Sequence, residues 1–175
     1  MHDFDFVFTG LQPWDIPIGS NAIDIAREVA TQNRVLYVNA PLDISTLIRE
    51  GSRPETARRI EILKGKSEPL RRLSANLYVL DLPFSILSVN GLPDGRVFDF
   101  VNRINNRKIF RYIRKVLNKQ GFKEIIHFID NDIYRSFHSR EFLKPELSIY
   151  YRRDNLQPYA YWNKHAPRLE PQLIA

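Results

Sequence analysis

Short runs of hydrophobic residues alternate along this chain with stretches in which hydrophobic residues recur every three or four positions. The runs predict five β-strands, over residues 3–9, 35–39, 77–82, 124–130 and 147–151. The helical spacing predicts helices over residues 21–32, 43–50, 95–119 and 133–143, with a further helix beginning at residue 167. This alternation predicts an α/β fold: a Rossmann-like, doubly wound and mostly parallel sheet.

Ligands of such sheets bind beyond the carboxyl ends of the strands, so the residues that directly follow each predicted strand are the candidates for a site. The loop after the first strand contains Trp14 and leads to Gly19, Ser20 and Asn21 at the start of a predicted helix. Backbone N–H groups there could receive a phosphate or carboxylate, with Ser20 as N-cap. The alternative is an ordinary turn that ends in a Ser N-cap.

The known nucleotide-binding loops do not match this one. Gly10 and Gly19 lie nine positions apart, so the loop lacks the G-x-G-x-x-G spacing, and no Gly-Lys-Ser/Thr sequence follows. The second predicted strand ends in Asn39, whereas an Asp or Glu would be needed to hold the ribose of NAD. The sequence therefore disfavours NAD binding.

Two aspartates at the same edge are the candidate catalytic residues. Asp130 ends the fourth predicted strand and Asp154 follows the fifth, where a carboxylate could act as general base or bind sugar hydroxyls. Alternatively, Asp130 or Asp132 only caps the next helix. Arg152 and its neighbour Arg153 are suited to a diphosphate, although arginines at strand ends are commonly solvated.

The long predicted helix is strongly basic between residues 103 and 119, which contain seven basic residues and no acidic one. Its apolar stripe consists of Ile109, Tyr112, Ile113 and Val116, and Asn105-Asn106 is the position where we expect a break. Such a helix either packs its stripe on the core and leaves a solvated basic back, or lies on an anionic membrane, or binds nucleic acid. The membrane-facing candidates are Arg107, Lys108, Arg111, Arg114 and Lys115.

A second basic segment lies between the second and third predicted strands. Gly51, Pro54, Gly65 and Pro69 interrupt any regular pattern there. We therefore expect a mobile surface excursion over residues 51–70, with one short helix.

Composition narrows the classes of function. The 175 residues include 26 Lys+Arg against 20 Asp+Glu, a net charge of +6, and hydrophobic residues make up 43%, which excludes wholesale disorder. The absence of cysteine excludes disulfides, thiolate metal sites and cysteine nucleophiles, and His2, His138 and His165 have no metal-ligand spacing. His127 lies between apolar residues of a predicted strand, where a core histidine is favoured over a catalytic one. No apolar run approaches the roughly 20 residues of a membrane span, and the acidic start lacks a secretory signal. We expect a cytoplasmic protein without a metal.

Two segments resemble a known family. Residues 5–43, DFVFTGLQPWDIPIGSNAIDIAREVATQNRVLYVNAPLD, resemble the start of bacterial glycosyltransferases of the GT-B fold, group 1 type. The segment from SIYYRRDN to PRLEPQLIA is similar to the family's strand ending in Asp and the helix with a Glu that follows it. The resemblance covers only the N-terminal, acceptor-side half of such an enzyme. The second Rossmann-like domain, with its Glu-x7-Glu motif, has no counterpart here, so we expect the chain to be truncated before it and inactive alone.

The resemblance implies a transferase of cell-surface polysaccharide biosynthesis, with the cleft between two halves. Gly19, Ser20 and Asn21 match the family's first loop, which borders the donor phosphates; Asp130 matches a position near the acceptor, and Asp154 matches the Asp after the fifth strand. It further implies a nucleotide-sugar held by the second domain, a glycan or lipid-linked acceptor, and no bound metal or cofactor. A lipid-linked acceptor would bring the basic helix to the inner membrane face.

Two other classes of function stay open at this point. One is a stand-alone nucleotide-binding α/β enzyme that uses the loop at residues 19–21. The other is a non-enzymatic module that binds a membrane surface or, less favoured, nucleic acid through residues 103–119.

Overall fold

The computed structural model describes residues 4–17, 19–50 and 54–174. The strands are β1 (Asp5–Gly10), β2 (Val35–Val38), β3 (Leu70–Arg72), β4 (Leu77–Leu80), β5 (Ile125–Asp130) and β6 (Leu147–Tyr151). The helices are α1 (Asn21–Val29), α2 (Ile44–Glu50), α3 (Pro54–Leu63), α4 (Arg96–Gln120), α5 (Ile133–Ser136), α6 (Ser139–Leu143) and α7 (Ala166–Ile174).

The strands form one six-stranded sheet in the order β3-β4-β2-β1-β5-β6. All neighbours pair in parallel except β3, which pairs antiparallel with β4 at the edge. This confirms the predicted α/β class and the mostly parallel sheet, and the order is compatible with a Rossmann-like fold. The chain moves outward from β1 in one direction through β2 and β4, and in the other through β5 and β6. The topological switch point therefore lies between β1 and β5.

Hydrophobic side chains cover both faces of the sheet, which explains why its central strands are apolar at successive positions. In β1, neighbouring side chains point to opposite faces, Val7 toward α4 and Phe8 toward α1. The α4 face of the core contains Val7, Leu36, Val38, Leu80, Ile109, Phe110, Ile113 and Leu117. The α1 face contains Phe8, Ile23, Ala26, Tyr37, Val79 and Phe128.

The long helix α4 runs through 25 residues without the predicted break. Asn105 exchanges two hydrogen bonds with the backbone of Leu87, at 3.0 and 2.8 Å. The Nδ2 atom of Asn106 donates to the carbonyl of Tyr134 at 2.9 Å. These asparagines are buried and bind distant parts of the chain, so they stabilise the helix instead of interrupting it. Gly121 caps the C-terminus of α4 with a φ of +69°, in the left-handed region that favours glycine.

Secondary structure occupies much of the basic segment at residues 51–70. The helix α3 buries Thr56 and Ile62, and β3 begins at Leu70. The strand β3 was not predicted, because three residues in a basic context have no hydrophobic period to detect. The mobility expected for this segment stays a prediction, and part of that segment, residues 51–53, lies outside the described residues.

The remaining differences are local. The predicted helix over residues 133–143 is two short helices, α5 and α6. The predicted helix over residues 43–50 is confirmed by α2. The Oδ1 atom of Asp43 accepts a hydrogen bond from the backbone N–H of Thr46 at 2.7 Å, in the first turn of this helix. Among the helices of the described ranges, none has both the length and the hydrophobicity to cross a bilayer.

Candidate functional site

Polar residues collect at the carboxyl edge, by which we mean the edge of the sheet where its parallel strands end. Asn39 follows β2, Asp81 follows β4, Asp130 ends β5 and Arg153 follows β6. The loop at residues 10–17 follows β1 and connects these groups. A parallel sheet with a switch point between β1 and β5 binds its ligands at this edge.

Hydrogen bonds hold the loop at residues 10–17 across the ends of its neighbours. The backbone N–H of Trp14 donates to Asn39 Oδ1 at 2.7 Å, and the Tyr37 hydroxyl donates to the carbonyl of Gln12 at 2.8 Å. Asp15 accepts two hydrogen bonds from Arg71, at 3.1 and 2.6 Å. The loop therefore forms part of the wall of the carboxyl edge.

The Asp130 side chain is buried at the switch point, with 1% of its surface exposed. Within the described part of the chain, neither carboxylate oxygen has a hydrogen-bond partner, and the Nη1 atom of Arg153 lies 3.5 Å from Oδ2. Burial raises the pKa of Asp130, and the positive charge of Arg153 opposes that rise. A Cβ atom at Gly10 would lie 3.1 Å from Asp130 Cβ, so glycine leaves the space that this carboxylate occupies.

Arg153 joins the two predicted catalytic aspartates. Its Nε atom donates to Asp154 Oδ2 at 2.9 Å, and its Nη1 atom donates to Gln12 Oε1 at 3.0 Å. The Asp154 side chain is 52% exposed, in contrast to the buried Asp130. We call the three charged residues the Asp130–Arg153–Asp154 array. Its two carboxylates share one guanidinium, and one of them faces solvent.

Arg152 lies elsewhere. Its Nε atom donates to Glu170 Oε1 at 3.0 Å, which ties the guanidinium to α7. Of the two neighbouring arginines in the sequence, Arg153 is therefore the one beside Asp130. Neighbours in a strand or its extension point to opposite sides, and the sequence alone does not say which side matters.

The predicted phosphate loop, residues 19–21, leads into the start of α1. Ser20 occupies the predicted N-cap position with extended backbone, and its hydroxyl makes no capping hydrogen bond. Gly19 and Asn21 are exposed. Among the contacts of the described residues, no hydrogen bond or ion pair joins these three residues to Asp130.

Trp14 belongs to the packing on the α1 face. Its ring contacts Tyr37 edge-on with centroids 5.2 Å apart, and the guanidinium of Arg27 lies over the ring at 5.1 Å. Trp14 is half-buried between these two contacts.

The alternative that an aspartate after β5 only caps the next helix holds for Asp132. The Oδ1 atom of Asp132 accepts from the backbone N–H of Arg135 at 3.3 Å, and the two side chains form an ion pair. Burial raises the pKa of Asp132, and Arg135 opposes that rise. Asp130 makes no such capping bond, so the two acidic residues have different roles.

Sequence reasoning missed a cleft at the other end of the carboxyl edge, which we call the arginine cleft. Its volume is about 430 Å³. The lining residues are Pro13, Asp15, Ile16, Pro17, Asn39, Arg58, Arg59, Arg71 and Asp81. Arg58 and Arg59 come from the basic segment that was predicted to be a mobile excursion, and Arg71 directly follows it. The signal that could have revealed the cleft is the pair Asn39 and Asp81, two polar residues that directly follow neighbouring strands.

The basic back of α4 forms a second concave surface, the α4 groove, with a volume of about 560 Å³. It is lined by Phe84, Ile104, Arg107, Lys108, Arg111, Tyr112 and Lys115. Arg114 lies in an adjoining depression with Arg111. Ile109 and Ile113 from the predicted apolar stripe are buried in the core, so the stripe itself packs inward. The Nζ atom of Lys108 lies 4.4 Å from the centre of the Phe84 ring.

No three His, Asp or Glu side chains in the described ranges are grouped as metal ligands. Comparison of the chain with models of known protein families gives no match, and neither curated proteins nor solved structures match it significantly. The function must therefore be argued from the geometry of the carboxyl edge.

Proposed function

We propose that this chain is the acceptor-binding half of a GT-B-type glycosyltransferase, which transfers a sugar from a nucleotide-sugar to a glycan or lipid-linked acceptor. A second domain would hold the nucleotide-sugar. The observation that carries the proposal is the Asp130–Arg153–Asp154 array at the switch point of a mostly parallel sheet. The resemblance of residues 5–43 to the family's first strand, loop and helix supports the same conclusion.

The members of the array differ in burial, and we assign them different roles on that basis. Asp154 is the carboxylate that solvent reaches, so it is the group that would contact an acceptor hydroxyl and take its proton. The acceptor oxygen would then form a bond to the anomeric carbon as the bond from that carbon to the nucleoside diphosphate breaks. Arg153 would orient Asp154 through the 2.9 Å hydrogen bond. Asp130, buried and in ion-pair distance of Arg153, is a positioning residue.

Binding of saccharides by the chain tests this proposal without the second domain. Backbone amide shifts would be recorded by NMR while methyl glycosides of several hexoses are added, and in parallel UDP and GDP. We expect at least one glycoside to produce saturable shifts at residues 10–17 and 152–155. Asp154→Asn should weaken that binding by about tenfold, the size expected for a charge-assisted hydrogen bond.

Asp24→Asn is the matched control, since Asp24 is also an exposed aspartate that bonds an arginine, Arg27 at 3.3 Å, but on α1. This variant should bind like the unmodified chain. The proposal fails if no glycoside shifts the carboxyl edge, or if Asp154→Asn and Asp24→Asn have equal effects. Tight nucleotide binding at Gly19 and Asn21 without any glycoside response would instead favour a stand-alone nucleotide-binding enzyme.

The α4 groove favours a second role, docking on an anionic membrane surface. Its cationic side chains surround Phe84 and the 43% exposed Ile104, so it offers charge for lipid headgroups and apolar surface for the interface below them. A lipid-linked acceptor would give this docking a purpose. The described residues that line the groove include no acidic side chain; the nearby carboxylates are Glu68, whose charge acts on Tyr112, and Glu141 in the adjoining depression.

Sedimentation with vesicles tests the membrane role. Vesicles of phosphatidylcholine with 30% phosphatidylglycerol as the probe should sediment the chain at low salt, and pure phosphatidylcholine should not. Arg111→Glu with Lys115→Glu should abolish sedimentation. Lys64→Glu with Lys66→Glu makes the same charge change on exposed residues outside the groove and should leave most of it. Equal loss in both double variants would contradict docking through α4.

A further inference from the structure

The arginine cleft has no part in the transfer step proposed above, yet it is built from five separate segments of the chain. The loop at residues 10–17 forms one wall, α3 contributes Arg58 and Arg59, and β3 contributes Arg71. Asn39 and Asp81 form its base at the ends of β2 and β4. Three guanidinium groups face two carboxylates, so the lining carries an excess of one positive charge.

Two of the three arginines, Arg58 and Arg71, form ion pairs with the buried Asp81. Its side chain is 2% exposed, and its Oδ1 atom accepts a hydrogen bond from Asn39 Nδ2 at 2.7 Å. Its Oδ2 atom lies 3.4 Å from Arg58 Nε and 3.8 Å from Arg71 Nη2, and makes no hydrogen bond in the described part of the chain. A buried carboxylate between two guanidinium groups holds both near one place and leaves part of their donor capacity unused.

The carboxylate of Asp15 shows that the guanidinium of Arg71 can bind an anion at the mouth of the cleft. Its carboxylate is 54% exposed and receives two hydrogen bonds from the fork of Arg71. A guanidinium fork binds a phosphate in the same two-point manner. The carboxylate of Asp15 therefore occupies a position that an incoming anion could take, while Asp15 itself could turn into solvent.

We propose that the arginine cleft binds a phosphoryl group of the acceptor molecule, which displaces Asp15 from Arg71. The assignment to the acceptor rests on the proposed function, whereas the phosphoryl site stands on the cleft itself. A cleft of about 430 Å³ lies within the range of small-molecule sites and has room for a phosphate with an attached sugar ring. The loop that lines the cleft also contains Gln12, which bonds Arg153 of the array.

To test this, the chain is titrated with glucose 1-phosphate, methyl glucoside, inorganic phosphate and UDP. Binding is measured by calorimetry and by backbone amide shifts. We expect glucose 1-phosphate to bind more tightly than methyl glucoside and to shift residues that line the cleft. Arg71→Gln and Arg59→Gln should each weaken glucose 1-phosphate binding by about tenfold. Asp15→Asn should strengthen it several-fold, because the competing carboxylate is removed. Asp24→Asn should change nothing.

The Asp15→Asn variant keeps the test decisive, because a gain of affinity cannot come from a damaged fold. The proposal is overturned if Asp15→Asn leaves the affinity unchanged, or if glucose 1-phosphate and methyl glucoside bind equally. If UDP alone binds the cleft, the phosphoryl group belongs to the donor and the acceptor assignment is wrong.

The two proposals fail separately. Glycoside binding at residues 152–155 with no phosphate response in the cleft would overturn the phosphoryl site and leave the acceptor-binding function standing. Inorganic phosphate in the cleft without any glycoside response would establish an anion site and overturn the acceptor-binding function.

Discussion

Lowering the pH should lower the free energy of unfolding, because the core holds His127 in its neutral form. His127 lies inside β5 and is fully buried, with its Nε2 atom 2.9 Å from Thr9 Oγ1. That hydroxyl is in turn 2.9 Å from Ser136 Oγ. The Nδ1 atom has no hydrogen-bond partner in the described part of the chain. A protonated ring would carry N–H groups on both nitrogens, so one of them would stay unpaired in the core.

Burial lowers the pKa of His127 to about 3, from an ordinary value of 6.5. Between these two values the unfolded chain binds more protons than the folded chain, so the free energy of unfolding falls as the pH falls. The contribution is fully present above pH 6.5 and is lost progressively toward pH 3. At pH 5 the loss spans about 1.5 pH units, and at about 1.4 kcal/mol per unit it amounts to about 2 kcal/mol.

Other buried groups alter the same curve, so a variant is needed to isolate His127. The pKa of His138 is also lowered by burial, which adds a loss of the same sign. The pKa values of Asp130 and Asp132 are raised by burial, so the folded chain binds their protons first and this term acts in the opposite direction. These terms are common to the unmodified chain and to a variant that changes His127 alone.

The assay is urea unfolding at pH 7 and pH 5 for the unmodified chain and for His127→Gln. The variant will be less stable at both pH values, but its loss between them should be about 2 kcal/mol smaller, because glutamine does not titrate. His138→Gln serves as the control for a half-buried histidine and should remove less of the pH dependence. Equal losses in the unmodified chain and His127→Gln would refute the reasoning.

Three further substitutions test the fold around the site. Gly10→Ala should cost about 1–3 kcal/mol in urea unfolding, because its Cβ would lie 3.1 Å from Asp130 Cβ; Gly19→Ala, in open space, should cost far less, and equal costs would contradict the packing argument. Asn105→Ala should lower the free energy of unfolding by about 2–3 kcal/mol, because its two hydrogen bonds to the segment before α4 are lost. Amide hydrogen exchange in that segment should become faster, and unchanged exchange would be evidence against this tether. Asp5→Ala should lower the thermal midpoint by several degrees, since the buried carboxylate accepts from an arginine and a backbone N–H; an unchanged midpoint would show that the arrangement adds nothing.

Local patterns were sufficient to predict the layers of the fold and one half of its candidate site. The five parallel strands are apolar runs, and α1 and α4 have helical spacing, because a sheet covered on both faces demands both signals. Once the strands are placed, Asp130 and Asp154 must lie at the carboxyl edge. That deduction needed only the direction of the strands.

Side-chain partners distant in sequence decided the rest. Asn105 and Asn106 have poor intrinsic helix preference, yet contacts to Leu87 and Tyr134 keep α4 continuous. Arg152 and Arg153 are equivalent in the sequence, and only the positions of Glu170 and Asp130 distinguish them.

The sequence by itself determined the five parallel strands, the helices α1 and α4 and the placement of Asp130 and Asp154 at the carboxyl edge, since hydrophobic periodicity is a local property. Only the tertiary structure decided that Arg58, Arg59 and Arg71 meet Asp81 in a cleft and that Arg153 joins two carboxylates. Charged side chains have no period that reveals their partners. Their arrangement depends on which distant segments the burial of the apolar core brings together. That burial is a property of the whole chain.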